Sequence, residues 1–461
     1  MPLWILLLAM LLLAVWSPTG KFVEFPKYWH DEAFALEQAR TFMELGRLDV
    51  TIAPNTPSGM ALAVSANGPP VSLPLAGVFS LFGIGILQAR LYMLFWLAGV
   101  TIAVYLFLKK TFDTRSAVAG TLLMVTFASF YANGRTVTGD IPGLFFCVIA
   151  LYFFVHKQQY AWSGVFFALA AITKTSAFHM ALPAAGIALL FFEKKQFFLP
   201  AIRFCTSALL VIFLWLLILL PFPYSRSGFT SLVEFYQNPT HKASLLEQFS
   251  GGIPPLLFSS TIGYFGILAL IVLVAFFKSR RAMPDAQKRV YVFVAAYALL
   301  QAVVFFRSPG WLRYLAALEI FILMLLLPAL SSFLSSKKVS YSLIGLLAAF
   351  QCVHYLFFSN ILPRPDITPR AALLNQLLDE RPGSTIGFVD NLTTSALIPS
   401  SKKFHYIYIG GTTYAGVHPF TLPQKEWPDF MDSIEQEYAH IQERFYEPYV
   451  LPDGEMIFRK K

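Results

Sequence analysis

The residues best suited to chemistry in this sequence are carboxylates and cations that stand beside long apolar stretches. Asp31 and Glu32 follow the first such stretch in the segment YWHDEAFALEQARTFMELG. An ionised carboxylate within hydrogen-bond reach is suited to remove a proton from a hydroxyl or an amine. Lys174 and Arg313 stand at the ends of later apolar stretches, where fixed cations would stabilise a developing negative charge.

Asp31 is predicted to stand at the N-terminus of a surface helix. Apolar residues recur at helical spacing over residues 31–46, and Gly46 is a suitable stop. The helix dipole would favour a carboxylate at that end, so Asp31 is the better candidate for a general base. Neighbouring helical positions point about 100° apart, so Glu32 is not expected to share its task. The alternative is that Asp31 is only a helix cap.

The predicted helix over residues 31–46 is amphipathic and is expected to lie on the outer membrane surface. Leu36, Ala39 and Met43 would form its apolar face. The charged and polar side chains would then occupy the other face, away from the membrane.

The segment YANGRTVTGDIPG predicts a turn between two apolar stretches that carries Arg135 and Asp140. We expect this turn at the same membrane face as Asp31. The alternative is a solvated loop in which Asp140 caps the following helix ahead of Pro142.

Two further cations stand where membrane topology disfavours them. Lys174 ends an apolar stretch in LAAITKTSAF, and Arg313 is followed by Tyr314 in RSPGWLRYLAAL. A cation at such a position usually has an anionic partner. The alternatives are that Lys174 snorkels to the interface and that Arg313 and Tyr314 belong to an interfacial aromatic belt.

Composition indicates a polytopic membrane protein. The chain has 461 residues, of which 56% are hydrophobic and only 13% are charged, with a net charge of +9. The basic residues cluster in short runs between apolar segments, which is typical of membrane topology and gives no reason to expect a nucleic-acid partner. The three cysteines lie within apolar segments and form no metal-binding motif.

The hydropathy pattern predicts about eleven transmembrane helices. They are placed near residues 2–17, 88–108, 116–132, 139–156, 160–174, 177–192, 199–222, 254–277, 289–306, 313–334 and 341–358. With a cytoplasmic N-terminus, the lysine- and arginine-rich loops all fall on one side. This holds only if residues 69–83, with three prolines, form a re-entrant or interfacial helix instead of a span.

The predicted organisation is a transmembrane domain over residues 1–358 and an extracytoplasmic α/β domain over residues 359–461. The transmembrane domain would carry extracytoplasmic loops at 18–87 and 223–253. Short strands are expected near GSTIGFVDN, KFHYIYIGG and EMIFRK, and helices near 369–381 and 428–445. The expected location is the plasma, or inner, membrane.

The order of these motifs resembles that of integral-membrane glycosyltransferases of the GT-C fold, within the superfamily of protein O-mannosyltransferases and lipid A aminoarabinose transferases. The resemblance covers roughly residues 1–335 and rests on the following segments: HDEAFALEQARTFMELGRLDV, NGPPVSLPLAGVFSLFG, ARLYMLFWLAGVTIAVYLFLKKTFDTRSAVAGTLLMV, GRTVTGDIPGLFFCVIALYFF, SGVFFALAAITKTSAF and RYLAALEIFILMLLLPAL. It implies an all-α membrane domain of the GT-C fold. It also implies inverting transfer of a sugar from a polyprenyl-phosphate donor at the extracytoplasmic face.

The resemblance also implies roles for particular residues. Asp31 takes the place of the essential acidic residue of the first loop, and Asp140 that of the acidic residue opening the fourth span. Lys174 matches the lysine of a Thr-Lys motif, and Arg313 with Tyr314 matches an Arg-Tyr pair. Lys174, Arg313 and Tyr314, together with Arg135, would hold the donor phosphate. Glu32 would support Asp31 in catalysis. Where the family usually has a lysine or histidine before paired prolines, this sequence has Gly68.

No cofactor is firmly predicted. A divalent metal at His30, Asp31 and Glu32 is a weaker hypothesis, because adjacent residues converge poorly on one ion. The expected partners are the lipid-linked donor, membrane lipids, and a lipid, glycan or protein acceptor. A transporter or lipid flippase is the alternative function, although such proteins tend to show internal repeats and midplane charges.

Overall fold

The computed structural model describes the following residues: 2–15, 22–26, 28–53, 55–57, 67–193, 196–219, 253, 259–307, 312–358, 367–380, 382–383, 386–389, 392–409, 412–414, 446–450 and 456–460. The predicted helix at 428–445 and nearly all of the predicted loop at 223–253 lie outside this part of the chain, as does the side chain of His30.

The described part of the chain is mostly helical. In chain order the helices are α1 (Leu3–Val15), α2 (His30–Leu45), α3 (Pro69–Phe82), α4 (Ile86–Thr111), α5 (Thr114–Thr126), α6 (Ala128–Tyr131), α7 (Asp140–Tyr152), α8 (Tyr160–Thr173), α9 (Thr175–Phe178), α10 (Ala181–Phe192), α11 (Phe198–Leu219), α12 (Ser260–Ser279), α13 (Asp285–Arg307), α14 (Ala316–Phe333), α15 (Lys337–Phe358), α16 (Thr368–Asp379) and α17 (Leu392–Ser395). The strands are β1 (Thr51–Ala53), β2 (Thr56–Pro57), β3 (Ile386–Val389), β4 (Lys403–Ile409), β5 (Thr412–Tyr414), β6 (Tyr446–Val450) and β7 (Met456–Lys460).

Several of these helices meet the length and hydropathy needed to cross a bilayer, so the chain is an integral, multi-pass membrane protein. Among the described residues seven helical segments qualify, or eight if α5 and the segment Ala128–Arg135, bent by 67°, form one span. These eight coincide with eight of the eleven predicted spans. The predicted spans near 2–17 and 160–174 fall on α1 and α8, which are apolar but shorter. The last predicted span falls on α15.

The segment that was predicted not to cross the membrane forms α3, a helix of 14 residues. It begins with two prolines in its first turn, where a missing backbone N–H costs no helical hydrogen bond. At 1.5 Å per residue it is roughly 21 Å long, shorter than the ~30 Å hydrocarbon core.

The chain forms two compact units. The first comprises Met1–Pro26, Met93–Leu214 and Asn238–Leu362, and the second comprises Lys27–Tyr92, Trp215–Gln237 and Pro363–Lys461. In the first unit, α7 packs on α8, α10 on α13, and α14 on both α5 and α12.

In the second unit, α2 packs on α3 and a five-stranded sheet runs in the order β5-β4-β3-β7-β6. Strands β3 and β4 pair in parallel, and the other pairs are antiparallel. Strands β3, β4 and β7 fall in the three segments predicted as strands. Strands β5 and β6 were not predicted.

The polar face of α2 is buried against other protein groups in the second unit. Its predicted placement away from the membrane stays a prediction. Arg40 donates to the carbonyl of Ser395 (3.3 Å), and the Ser400 N–H donates to Glu44 (2.8 Å). Glu37 forms an ion pair with Arg40 at 2.5 Å, and neither side chain is exposed. The charged face of α2 therefore anchors the C-terminal segment of the chain.

Candidate functional site

Asp31 lies in the first turn of α2. The helix begins at His30 with Trp29 as its cap residue, and the Trp29 side chain makes no cap hydrogen bond. Asp31 is thus not the helix cap, which was the alternative explanation for an acid at this position. Its half-buried carboxylate stands at the helix end where the dipole favours negative charge.

The main chain at Asp31 is held in place by Asn67. The side-chain amide of Asn67 is buried and donates to the Asp31 carbonyl oxygen at 2.9 Å. This contact ties the start of α2 to the residue that precedes Gly68 and α3. It fixes the backbone from which the Asp31 carboxylate projects.

Glu32 forms a buried, two-point ion pair with Arg90. The Arg90 Nε donates to one Glu32 oxygen at 3.1 Å, and a terminal guanidinium nitrogen donates to the other at 3.0 Å. Both side chains are 0% exposed. Because its carboxylate is committed to Arg90, Glu32 is placed to position α2 and its neighbour Asp31.

Tyr28 lies directly before α2 and is buried beside this ion pair. Burial raises the pKa of the Tyr28 hydroxyl well above its usual value, and the charges of Glu32 and Glu37 raise it further. The hydroxyl therefore stays protonated and does not serve as a base. Among the described residues it has no hydrogen-bond partner.

Lys174 stands in the first unit at a break in a membrane helix. Helix α8 ends at Thr173 and α9 begins at Thr175, while Lys174 itself is extended (φ −147, ψ 91). The residue is only 3% exposed. A cation held in the protein interior attracts negative charge, so Lys174 is a candidate for binding a substrate anion.

Asp140 begins α7 next to this break, because Gly139 allows the backbone before α7 to lie against Thr173 and Lys174. A Cβ atom at Gly139 would lie 2.2 Å from the Thr173 carbonyl oxygen and 2.9 Å from the Lys174 Cβ. Only glycine allows so close an approach. One buried carboxylate oxygen of Asp140 has no hydrogen-bond partner among the described residues. It thus remains available to a substrate group.

Two residues of α13 hold the broken helix and the Arg313 turn together. A four-residue helix cannot satisfy its own last carbonyls. Tyr297 donates to the Ala177 carbonyl, and Gln301 donates to the Ser176 carbonyl at 3.1 Å. Gln301 also donates to the Tyr314 carbonyl at 3.1 Å.

Arg313 lies in the turn that this contact holds. The turn is a 3₁₀ helix over Leu312–Leu315, and the Arg313 guanidinium stacks 5.5 Å from the Tyr314 ring centre. The first unit thus brings together the segments of Asp140, Lys174, Arg313 and Tyr314.

Arg135 is engaged elsewhere in the first unit. Its guanidinium donates to the Ala14 carbonyl at the end of α1 and lies 5.3 Å and 5.2 Å from the ring centres of Phe22 and Phe25. The side chain is 1% exposed. These contacts give Arg135 a structural role at the end of α1, and the phosphate contact predicted for it stays a prediction.

In the part of the chain that the structure describes, no group of three or more histidine, cysteine, aspartate or glutamate side chains is arranged to hold a metal ion. The hypothesis of a metal at His30, Asp31 and Glu32 stays untested, because the His30 side chain lies outside the described residues.

Sequence analysis missed Arg90, Asn67 and Gln301. Arg90 and Gln301 carried a usable signal, since a polar side chain inside an apolar helix usually has a partner. Asn67 carried none, because an asparagine before glycine and proline is ordinary in a loop.

One family model matches part of this sequence, and several solved structures match its fold. The sequence model of the dolichyl-phosphate-mannose-protein mannosyltransferase family matches residues 67–221, which contain Asp140 and Lys174 but not Asp31 or Arg313. Comparison with curated proteins finds no significant match.

Among solved structures, the apo oligosaccharyltransferase of Archaeoglobus fulgidus matches with a TM-score of 0.55 and 12% identity, over 100% of this chain and 74% of its own. The same organism's oligosaccharyltransferase AglB, in complex with an inhibitory peptide and a dolichol-phosphate, matches with a TM-score of 0.53 and 12% identity, over the same shares of the two chains. ArnT from Cupriavidus metallidurans bound to undecaprenyl phosphate matches with a TM-score of 0.49 and 14% identity, over 86% and 74%. The resemblance seen in the sequence motifs is therefore confirmed, and this membrane protein has the fold of the GT-C glycosyltransferases.

Proposed function

We propose that this protein transfers a sugar from a polyprenyl-phosphate donor to an acceptor at the extracytoplasmic face of the membrane, with inversion at the anomeric carbon. The observation that carries the proposal is Lys174, a cation buried at a helix break beside Asp140. Such a cation suits a phosphate leaving group. The family model covers this segment, and the similar AglB structure holds a dolichol-phosphate.

The proposed step is a single displacement. The acceptor oxygen or nitrogen attacks the anomeric carbon, and the bond from that carbon to the phosphate oxygen breaks. The bonding pair leaves with the lipid phosphate, whose added charge Lys174 and Arg313 stabilise. The acceptor proton passes to the Asp31 carboxylate, which acts as general base.

The remaining residues orient these groups. Asp140 binds a hydroxyl or amine of the sugar or the acceptor through its available carboxylate oxygen. Tyr314 stacks on the Arg313 guanidinium and fixes its direction. Glu32 and Arg90 hold the first turn of α2. In the proposed orientation, the N-terminus is cytoplasmic and the residues 359–461 are extracytoplasmic.

The test is complementation in cells that lack the protein. Loss of the protein should remove a glycoconjugate and raise the level of its polyprenyl-phosphate sugar, both measured by mass spectrometry. The wild type should reverse both changes, whereas Lys174→Met present at equal level in the membrane should not. The matched control is Lys288→Met, because Lys288 is a partly exposed lysine on α13. Unchanged lipid-linked sugars in the deleted cells would contradict the proposal and favour transport.

A further inference from the structure

A groove in the first unit is unrelated to the residues assigned above. It runs between α4 and α7 and has a volume of about 760 Å³. The side chains that line it are mostly apolar, and the exceptions are two lysines at one end. The lining includes Gly99, Ile102, Leu106, Phe145, Ile149 and Tyr152, together with Lys109 and Lys110.

The length of the groove corresponds to one leaflet of a bilayer. Its lining on α4 extends from Gly99 to Lys110. At 1.5 Å per residue this stretch is roughly 16 Å long, about half of the ~30 Å hydrocarbon core. Gly99 therefore lies near the membrane midplane, and the lysines lie near the headgroups of one leaflet.

Aromatic rings pack beside the Gly99 end of the groove. The Trp96 and Phe145 rings meet edge to face at 5.5 Å between their centres. Gly99 leaves space beside them, since a Cβ atom there would touch Phe145 at 3.4 Å. The Gly99 end of the groove is therefore apolar and aromatic, as a lipid tail requires.

The other end of the groove carries positive charge. Lys109 and Lys110 are exposed, and within the described residues neither has an ion pair or a hydrogen bond from its side chain. The charges of Lys110 and Lys157 both act on His156, so α4 and the end of the α7 span bring their cations together. The nearby Asp113 carboxylate is occupied as the cap of α5, at 2.6 Å from the Ser116 nitrogen.

We propose that this groove binds an anionic glycerophospholipid from the leaflet on the lysine side. An acyl chain lies along α4 and α7, and the phosphate meets the ammonium groups of Lys109 and Lys110. The two lysines favour an anionic headgroup, because basic residues beside a membrane attract anionic lipids. The leaflet-length apolar lining selects a lipid tail. This site is at the end of α7 opposite to Asp140, so its occupancy does not depend on sugar transfer.

Native mass spectrometry of the purified full-length protein tests the proposal. The probes are phosphatidylglycerol and phosphatidylcholine with identical acyl chains. We expect phosphatidylglycerol to bind more tightly, and Lys109→Gln/Lys110→Gln to bind it roughly 30-fold more weakly, about 2 kcal/mol. The matched control is Lys337→Gln/Lys338→Gln, a second exposed lysine pair that does not line the groove.

A second pair of variants tests whether lipid binding needs the apolar groove as well as the two lysines. Ile102→Trp should fill the groove and reduce phosphatidylglycerol binding with both lysines present. Phe95→Trp alters a side chain that is 78% exposed and outside the lining, and should leave binding unchanged. Equal binding of the two lipids, or wild-type binding by the Lys109/Lys110 variant, would overturn the proposal. Displacement of phosphatidylglycerol from the groove by equimolar undecaprenyl phosphate would overturn it too, in favour of a donor-lipid site.

Discussion

Replacing Arg90 by methionine tests whether the buried ion pair at the start of α2 holds that helix. The substitution keeps an unbranched side chain of similar length but leaves the Glu32 carboxylate, which is 0% exposed, without its cation. Removing one partner of a buried pair destabilises a protein by about 3–5 kcal/mol, because the other charge stays buried. The Arg90–Glu32 pair has two hydrogen bonds, so we expect a loss within that range.

The double variant Glu32→Leu/Arg90→Met separates positioning from chemistry. Replacing both partners of a buried pair by apolar side chains is often neutral for stability. If Glu32 serves only to hold α2 against Arg90, the double variant regains most of the stability lost in Arg90→Met. It also regains sugar transfer. We expect this outcome, because both Glu32 oxygens are occupied by Arg90.

Thermal unfolding of the purified variants in detergent and sugar transfer in membranes supply the two readouts. Arg90→Met should lower the unfolding temperature by several degrees and reduce transfer. Unfolding at the wild-type temperature would show that the pair contributes little to stability. A double variant that is stable but inactive would refute the positioning role and assign Glu32 to the chemical step, as the sequence motif predicts.

Three further variants test the rest of the site. Gly139→Ala should lose about 1–3 kcal/mol of stability and most activity, because its Cβ would lie 2.2 Å from the Thr173 carbonyl oxygen; Gly345→Ala, with nothing within 4 Å, is the control and should be neutral by thermal unfolding. Gln301→Leu removes two hydrogen bonds and should lower the free energy of unfolding by about 1–3 kcal/mol. It should also raise the KM for the lipid donor more than it lowers kcat. An unchanged KM would show that Gln301 does not hold the Arg313 turn in its binding position. Tyr28→Phe should keep the unfolding temperature, since its hydroxyl has no hydrogen-bond partner in the described structure, and a loss above about 1 kcal/mol would reveal one.

Local signals in the sequence predicted the membrane helices and the end of α2. Hydropathy located the eight segments that qualify as spans, and Gly46 does end α2 in the left-handed conformation (φ 70). Prolines at the start of a short apolar run located α3. These features depend on residues close in sequence, so pattern alone is sufficient.

Contacts between distant residues could not be predicted in this way. The sequence predicts a polar face on α2 but not its partners, and Arg40 contacts a carbonyl 355 residues away, at Ser395. Glu32 finds its partner 58 residues later, at Arg90. Amphipathic patterning shows that a helix has a polar face, but only the tertiary fold shows whether water or other polar groups satisfy it.

The helix break at Lys174 could be predicted in part from the sequence. The sequence shows a cation at the end of an apolar stretch, which is unusual enough to single out. It does not show that Gly139 brings Asp140 against the break or that Gln301 bridges it to the Arg313 turn. Both contacts join different helices, and their close approach is visible only in the folded chain.

The central claim is that Asp31 is the general base in sugar transfer from a lipid phosphate. The direct measurement is release of polyprenyl phosphate from a polyprenyl-phosphate sugar pool by the purified protein in liposomes with acceptor, followed by mass spectrometry. We expect Asp31→Asn to slow release by about 10²–10⁴-fold with an unchanged unfolding temperature. Asp285→Asn, which alters a carboxylate that is 79% exposed, should match the wild type. Release by Asp31→Asn at the wild-type rate would contradict the claim.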